Sequence, residues 1–203
     1  MKYLKKFLKV FIFIIGVMIA IWISLPWDKI GEYAVLIAER RVSSMGFTAR
    51  HSSVNGSWKG PNIKVNDFAA KMTLGGGEFQ SISVTPSYLK SITQFAPVIS
   101  VSFSGGKVFL PGGSEADMGA GQVEISFKNG ILSLRNFKSV GDLSFDGFIV
   151  IDVKNGVKID NADMIIKATS SAEVSLNFLS QMVRDMTKES AGQWRIKREK
   201  SDG

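Results

Sequence analysis

The sequence predicts a mainly β protein with flanking helices: an N-terminal transmembrane helix, then an antiparallel β-sheet meander with short capping helices. Three observations carry this. Val10 to Trp27 run eighteen positions without a charge, directly behind four lysines. From Phe47 to about Lys167 the hydrophobic period shifts from 3.6 to 2, with β-branched and aromatic runs punctuated by glycine. Two Asn-Gly hairpin segments, Val123–Gly130 and Ile149–Gly156, repeat at an offset of 26 residues.

The apolar run comes first. A bilayer core of roughly 30 Å needs about 20 apolar helical residues, and Phe7 to Trp27 supplies them if Lys9 snorkels toward the headgroups. The preceding lysines belong on the cytoplasmic side, so everything after Trp27 is expected across the membrane, with Trp22 and Trp27 as interfacial anchors. A cleaved signal peptide would share the basic start, but Ile23-Ser24-Leu25-Pro26-Trp27-Asp28 lacks the small-residue cleavage pattern. The anchor is therefore expected to be retained. The chain divides into 1–27 (basic start and anchor), 28–46 (amphipathic helix) and 47–203 (β domain with C-terminal helix and tail).

In the second segment Asp28 is placed to cap a helix running to Met45, with Gly46 as its left-handed stop. Ile30, Ala34, Ile37, Ala38, Val42 and Met45 form its apolar side. That side either packs on the domain or lies on the membrane or a partner.

Expected strands are Phe47–Val54, Ile63–Leu74, Glu78–Thr85, Val98–Ser104, Lys107–Leu110, Gly121–Lys128, Ile131–Phe137, Leu143–Lys154 and Val157–Lys167. A short crossover helix places Leu89, Ile92 and Phe95 at helical spacing between Pro86 and Pro97. A two-residue type I′ turn at Asn129-Gly130 sets Phe127 opposite Leu132, Ile125 opposite Leu134 and Glu124 opposite Arg135. In the second hairpin a three-residue Lys154-Asn155-Gly156 loop keeps Ile151 against Ile159 and Val153 against Val157. Val123, Ile125, Phe127, Leu132, Leu134, Ile151, Val153 and Ile159 thus form one candidate apolar sheet face, either a closed core or an open trough. Beyond it, Glu173–Asn177 alternates like a strand, Phe178–Lys188 reads as a helix ended by Gly192, and Gln193–Lys200 reads as a last edge strand or a frayed tail.

Composition narrows the chemistry. Four of the 25 basic residues precede the apolar run, leaving 21 against 18 acidic ones, which gives no electrostatic case for nucleic acid. With no cysteine and one histidine, His51, neither a common zinc site nor a Ser-His or Cys-His nucleophile has its partners. His51 lies in a polar run and is expected to be solvated. Asp142, Asp146, Asp152, Asp160 and Asp163 sit where turns and an exposed sheet face place aspartates, so no catalytic pair is assigned. Gly75-Gly76-Gly77 and Gly112-Gly113 lack phosphate-loop spacing and read as turns. Trp58, in a turn-rich stretch, is the candidate lid over one end of the sheet. No enzyme activity, cofactor or metal is expected.

The order of features resembles a known family. Leu25-Pro26-Trp27-Asp28 after an apolar run, a helix ending Ala38-Glu39-Arg40-Arg41, the Gly56-Ser57-Trp58 turn, Pro86-Ser87-Tyr88-Leu89, and Asn129–Phe137 followed by Gly141-Asp142-Leu143 follow one another along nearly the whole chain. In this order they resemble the type II secretion system protein N (GspN) family, in the divergent form of several non-enterobacterial Gram-negative groups, and more distantly the AsmA-like proteins. The resemblance implies a curved sheet of AsmA-like or β-taco type. It also implies a single-pass inner-membrane location with the N-terminus cytoplasmic and the main domain in the periplasm. The implied role is that of a non-enzymatic accessory component of type II protein secretion. The AsmA-like likeness, and a likeness to the lipopolysaccharide export protein C (LptC), imply the alternative of a lipid-binding or lipid-transfer domain. Expected partners are the membrane, other envelope or secretion-system proteins, lipid under the second reading, and further copies of the chain.

Overall fold

The computed structural model describes residues 13–18, 20–21, 23–44, 46, 48–57, 62–72, 75–110, 113–154, 158–183 and 185–199. The expected span, Phe7 to Trp27, falls partly outside them, at residues 7–12, 19 and 22, and so does Trp58. Residues 13–18, 20–21 and 23–24 are helical, and their side chains are exposed. Among the described residues no helix is long and apolar enough to cross a membrane.

Helix α1 (Trp27–Ser44) starts at Pro26, whose carbonyl accepts from the Ile30 amide at 3.0 Å. Asp28 therefore sits inside the first turn and does not cap it; its Oδ1 instead accepts from the Gly56 amide at 2.7 Å. Gly46, at φ +87°, follows the helix as expected. The face that packs differs from the expected one. Gly31 is buried, with Val35 and Glu39 half-buried on the same stripe, whereas Ile30, Ala34, Ile37 and Ala38 are exposed. Small size decides it: a side chain at Gly31 would crowd Val54 and Ile63, and one at Gly56 would stand 2.3 Å from the Trp27 carbonyl. The helix lies too close to the strands to turn its bulky stripe inward.

The rest is one antiparallel sheet, 11-stranded among the described residues. Its strands are β1 (Thr48–Arg50), β2 (Ser53–Ser57), β3 (Asn62–Met72), β4 (Gly75–Pro86), β5 (Val98–Phe109), β6 (Glu115–Lys128), β7 (Ile131–Val140), β8 (Leu143–Asp152), β9 (Lys158–Ala168), β10 (Met186–Ser190) and β11 (Gln193–Arg198). The spatial order is β1-β3-β4-β5-β6-β7-β8-β9-β11-β10, with β2 beside β1 on the outer edge of β3. Helix α2 (Tyr88–Gln94) links β4 to β5, and α3 (Ser170–Met182) follows β9.

Several boundaries depart from the expectations. The strand expected at Phe47–Val54 is two strands broken at His51-Ser52, opposite Asp67 with its φ of +49°. The two expected at Val98–Ser104 and Lys107–Leu110 are one strand, in which Gly105, at φ +59°, makes a bulge. Gly75 to Gly77 lie within β4, not in a turn. Glu173–Asn177 belongs to α3, so the alternation there is no strand; the helix expected at Phe178–Lys188 ends at Met182, and its last residues, Met186 to Lys188, are in β10. Gly192 turns the β10–β11 hairpin at φ +67°. β11 is interior, paired with β9 and β10 on its two sides, and Trp194 within it is fully buried.

The registers of both Asn-Gly hairpins match the expectation. Glu124–Arg135, Ile125–Leu134 and Phe127–Leu132 pair, with Asn129 and Gly130 at φ +53° and +81° as a type I′ turn requires. Ile151 pairs Ile159; the tip of that loop lies outside the described residues. Cα atoms of β6 and β8 come within 8 Å across β7. Two flat strand spacings would hold them about 9.5 Å apart, so the sheet is curved at β7, where a register shift accompanies Asn136 at φ +52°.

Candidate functional site

Directly paired residues share a face of a sheet, and the pairing carries one face across the molecule. Val54–Val65–Ile82–Phe103 is one such line, and Ile99–Ile125–Leu134–Ile149 and Phe127–Leu132–Ile151–Ile159 are two more. Val123, opposite Val101, completes the set of sequence-predicted residues on strands. On the same side a file of rings crosses the sheet: Phe79 and Phe103 lie edge-on at 5.2 Å, Phe103 and Phe137 at 6.5 Å, and Phe137 and Phe145 stack at 5.2 Å. Phe103 and Phe137 meet over Gly121 of the strand between them. A Cβ there would stand 2.3 Å from the Phe103 ring, so the missing side chain is what lets the rings touch.

Helices cover this face unevenly. α1 lies over β2 and the adjacent edge. α3 buries Leu110, Ala116, Leu143, Met164, Ile166 and Trp194 at the end of the sheet away from the two Asn-Gly tips. Toward those tips the face opens. Val123 is buried, Ile125, Leu132, Leu134, Ile151 and Ile159 are half-buried, and Phe127 and Val153 are 50 and 38% exposed. Exposure along this apolar face is thus graded: α3 covers one end, and the other is more exposed.

The polar groups are arranged differently from the expectation. His51 is not solvated: its Nδ1 lies 2.6 Å from Glu39 Oε1 of α1, and both side chains are largely covered. This pair joins the helix to the break between β1 and β2, a link that the polar run around His51 does not signal. Beside it is an open cleft of about 450 Å³. Glu78 lines it, and Lys71, 2.7 Å away, holds its carboxyl below the ordinary range. Arg195 binds Asp163 through two parallel bonds of 2.8 Å, which likewise lowers that carboxyl. Both shifts run away from the raised values a general acid needs at neutral pH. Two of the crowded aspartates serve separate local tasks: Asp152 accepts from the Lys154 amide, and Asp163 pins β11 to β9. Among the described residues no group of three acidic or histidine side chains could hold a metal ion.

A family model described as type II secretion system protein GspN-like, Synergistales, matches residues 4–198, taking in the apolar N-terminal run and the whole of the described sheet. The chain belongs to the GspN-like family. No curated protein and no solved structure matches it. Membership of the GspN-like family indicates an accessory role in type II secretion, association with the cell envelope and interaction with other secretion proteins. The open apolar face is therefore a feature of a GspN-like protein.

Proposed function

We propose that this GspN-like chain is a single-pass, inner-membrane-anchored accessory component of the type II secretion system, and that its periplasmic sheet has a non-enzymatic scaffolding or assembly role. The observation that carries the reading is the extent of the family match: it runs from Leu4 through the apolar segment to Arg198, so the apolar segment and the sheet are one inherited unit. The basic start and charge-free run support a cytoplasmic N-terminus. Deleting the gene should stop release of a folded exoprotein, with the exoprotein accumulating in the periplasm, and the intact chain should restore release. Alkaline phosphatase fused after Gly203 should be active; an inactive fusion would overturn the topology.

One observation favours a second role, lipid binding along the sheet. Phe127 and its neighbours keep substantial apolar area in contact with solvent at the more exposed end of the face. A photocrosslinking residue at Phe127 or Leu134 should capture lipid in cells if the face binds acyl chains. Lipid adducts at those positions, together with normal exoprotein release after deletion, would replace the secretion reading with the lipid one.

A further inference from the structure

The crossover helix α2 is amphipathic the wrong way round for a helix lying on a sheet. Its polar side is the one that is held: Ser91 Oγ accepts from the Val98 amide at 2.9 Å, Ser87 Oγ lies 2.9 Å from Ser100 Oγ, and Lys90 pairs with Glu124 of β6. None of its residues is buried. Its apolar side faces away, with Tyr88 53%, Leu89 82%, Ile92 69% and the following Phe95 86% exposed. Phe95 adopts φ +49°, a left-handed position that glycine or asparagine fills at lower cost. A large ring there is a poor choice for a surface that only ever meets water.

The topology places this cluster at a definite end of the molecule. α2 joins the end of β4 to the start of β5, and Lys128, beside the β6–β7 turn, donates to the Gln94 carbonyl at 3.2 Å. The half-exposed Phe127 stands at the same tip. The first turn of α1 is fixed there too, because Gly56, which Asp28 holds, pairs with Ile63 near the start of β3, and Ile63 pairs with Val84 near the end of β4. The exposed apolar helical residues from Phe13 onward enter α1 through Leu25 and Pro26 without a linker. One end of the sheet therefore carries the root of the apolar N-terminal segment, the outward apolar side of α2 and the Phe127 tip. Lys128, Lys154 and Lys158 stand around that end, suited to anionic headgroups.

We infer that this end of the sheet rests on the lipid surface, with the Tyr88, Leu89, Ile92 and Phe95 side of α2 inserted among the headgroups and upper acyl chains of the leaflet from which the anchor emerges. The inference rests on the anchored reading of the N-terminus. The docked end turns the more exposed end of the apolar face toward the bilayer and the α3-covered end away from it.

The chain has no cysteine, so single-cysteine variants of the full-length protein give clean label sites. Phe95→Cys, Leu89→Cys, Phe13→Cys and Val140→Cys, each spin-labelled in phosphatidylethanolamine–phosphatidylglycerol nanodiscs, are compared by collision with oxygen and with a polar nickel complex. Val140, 81% exposed and opposite Gly119 near the far end of β6, is the control expected in water. Labels at 89 and 95 should meet oxygen several-fold more, relative to nickel, than the label at 140. If 13 is in lipid while 89 and 95 match 140, the anchor holds and the docking of α2 is overturned. If 89 and 95 are in lipid while 13 is in water, docking stands and the anchored reading fails. Protection at 89 and 95 that persists in detergent and scales with protein concentration would assign the patch to a second copy and overturn the lipid assignment.

Discussion

Trp194 is fully buried in the core, and among the described residues its indole N–H has no hydrogen-bond partner. Its ring, under the Lys188 ammonium at 5.1 Å, contributes by packing. Trp194→Ala should cost about 3–5 kcal/mol, as large-to-small core changes do, whereas Trp194→Phe removes the unsatisfied donor along with part of the ring and should cost clearly less. Thermal denaturation of the two variants compares them. Asp163 makes a different prediction. Arg195 lowers its carboxyl below the ordinary 3.8, so the pair's contribution is present above that value and fades as the pH falls through the lower folded-state value. Both side chains are partly exposed, so the effect is small. The melting-temperature gap between the parent and Asp163→Asn should be widest above about pH 4 and close below it; a gap independent of pH would mean the pair contributes only shape.

Helix α1 is joined to the sheet by the Asp28–Gly56 bond, the Glu39–His51 pair and a close backbone approach at Gly56. A Cβ at Gly56 would meet the backbone of Trp27 and Asp28, which no rotamer change relieves. Gly56→Ala should therefore loosen α1 while leaving β4 to β9 intact, read by hydrogen exchange as faster exchange confined to α1, β1 and β2. His51→Ala should loosen the other end of the same helix, and uniform loss of protection in either variant would contradict separate attachment. Legibility in the sequence follows from how local each cause is. The Asn-Gly registers were readable because two turn residues and the alternation beside them fix the pairing. The packing face of α1 was not, because it is chosen by a glycine fit to Val54 and Ile63, which lie far along the chain. The C-terminal assignment failed for a related reason: Glu173–Asn177 alternates, yet Ala172 and Leu176 lie one helical turn apart and find a core to fill. The candidate apolar residues were visible as a face, but how far that face is covered depends on where α3 lands.

Across the whole molecule, the exposure gradient along the apolar face separates two outcomes that the sequence alone leaves joined. Val123→Asp would bury an unpaired charge at several kcal/mol and should unfold the domain. Phe127→Asp, at a half-exposed position, should fold with nearly the parent melting temperature while losing any lipid contact at the open end. Equal destabilisation by the two would mean that the face is a closed core in solution. The strand order also has a meaning in time. From β3 to β9 each strand pairs with the next one made, so the sheet can grow hairpin by hairpin as the chain appears. The exception is the last piece: β11 returns to β9 only after α3 and β10, and Asp163 waits 32 residues for Arg195. Until then the eleven-residue β9 presents an unpaired edge. A nascent chain is therefore most vulnerable just before completion, and a stop placed ahead of Gln193 should leave a long-lived, aggregation-prone or protease-sensitive sheet even though nearly all of it has been synthesised.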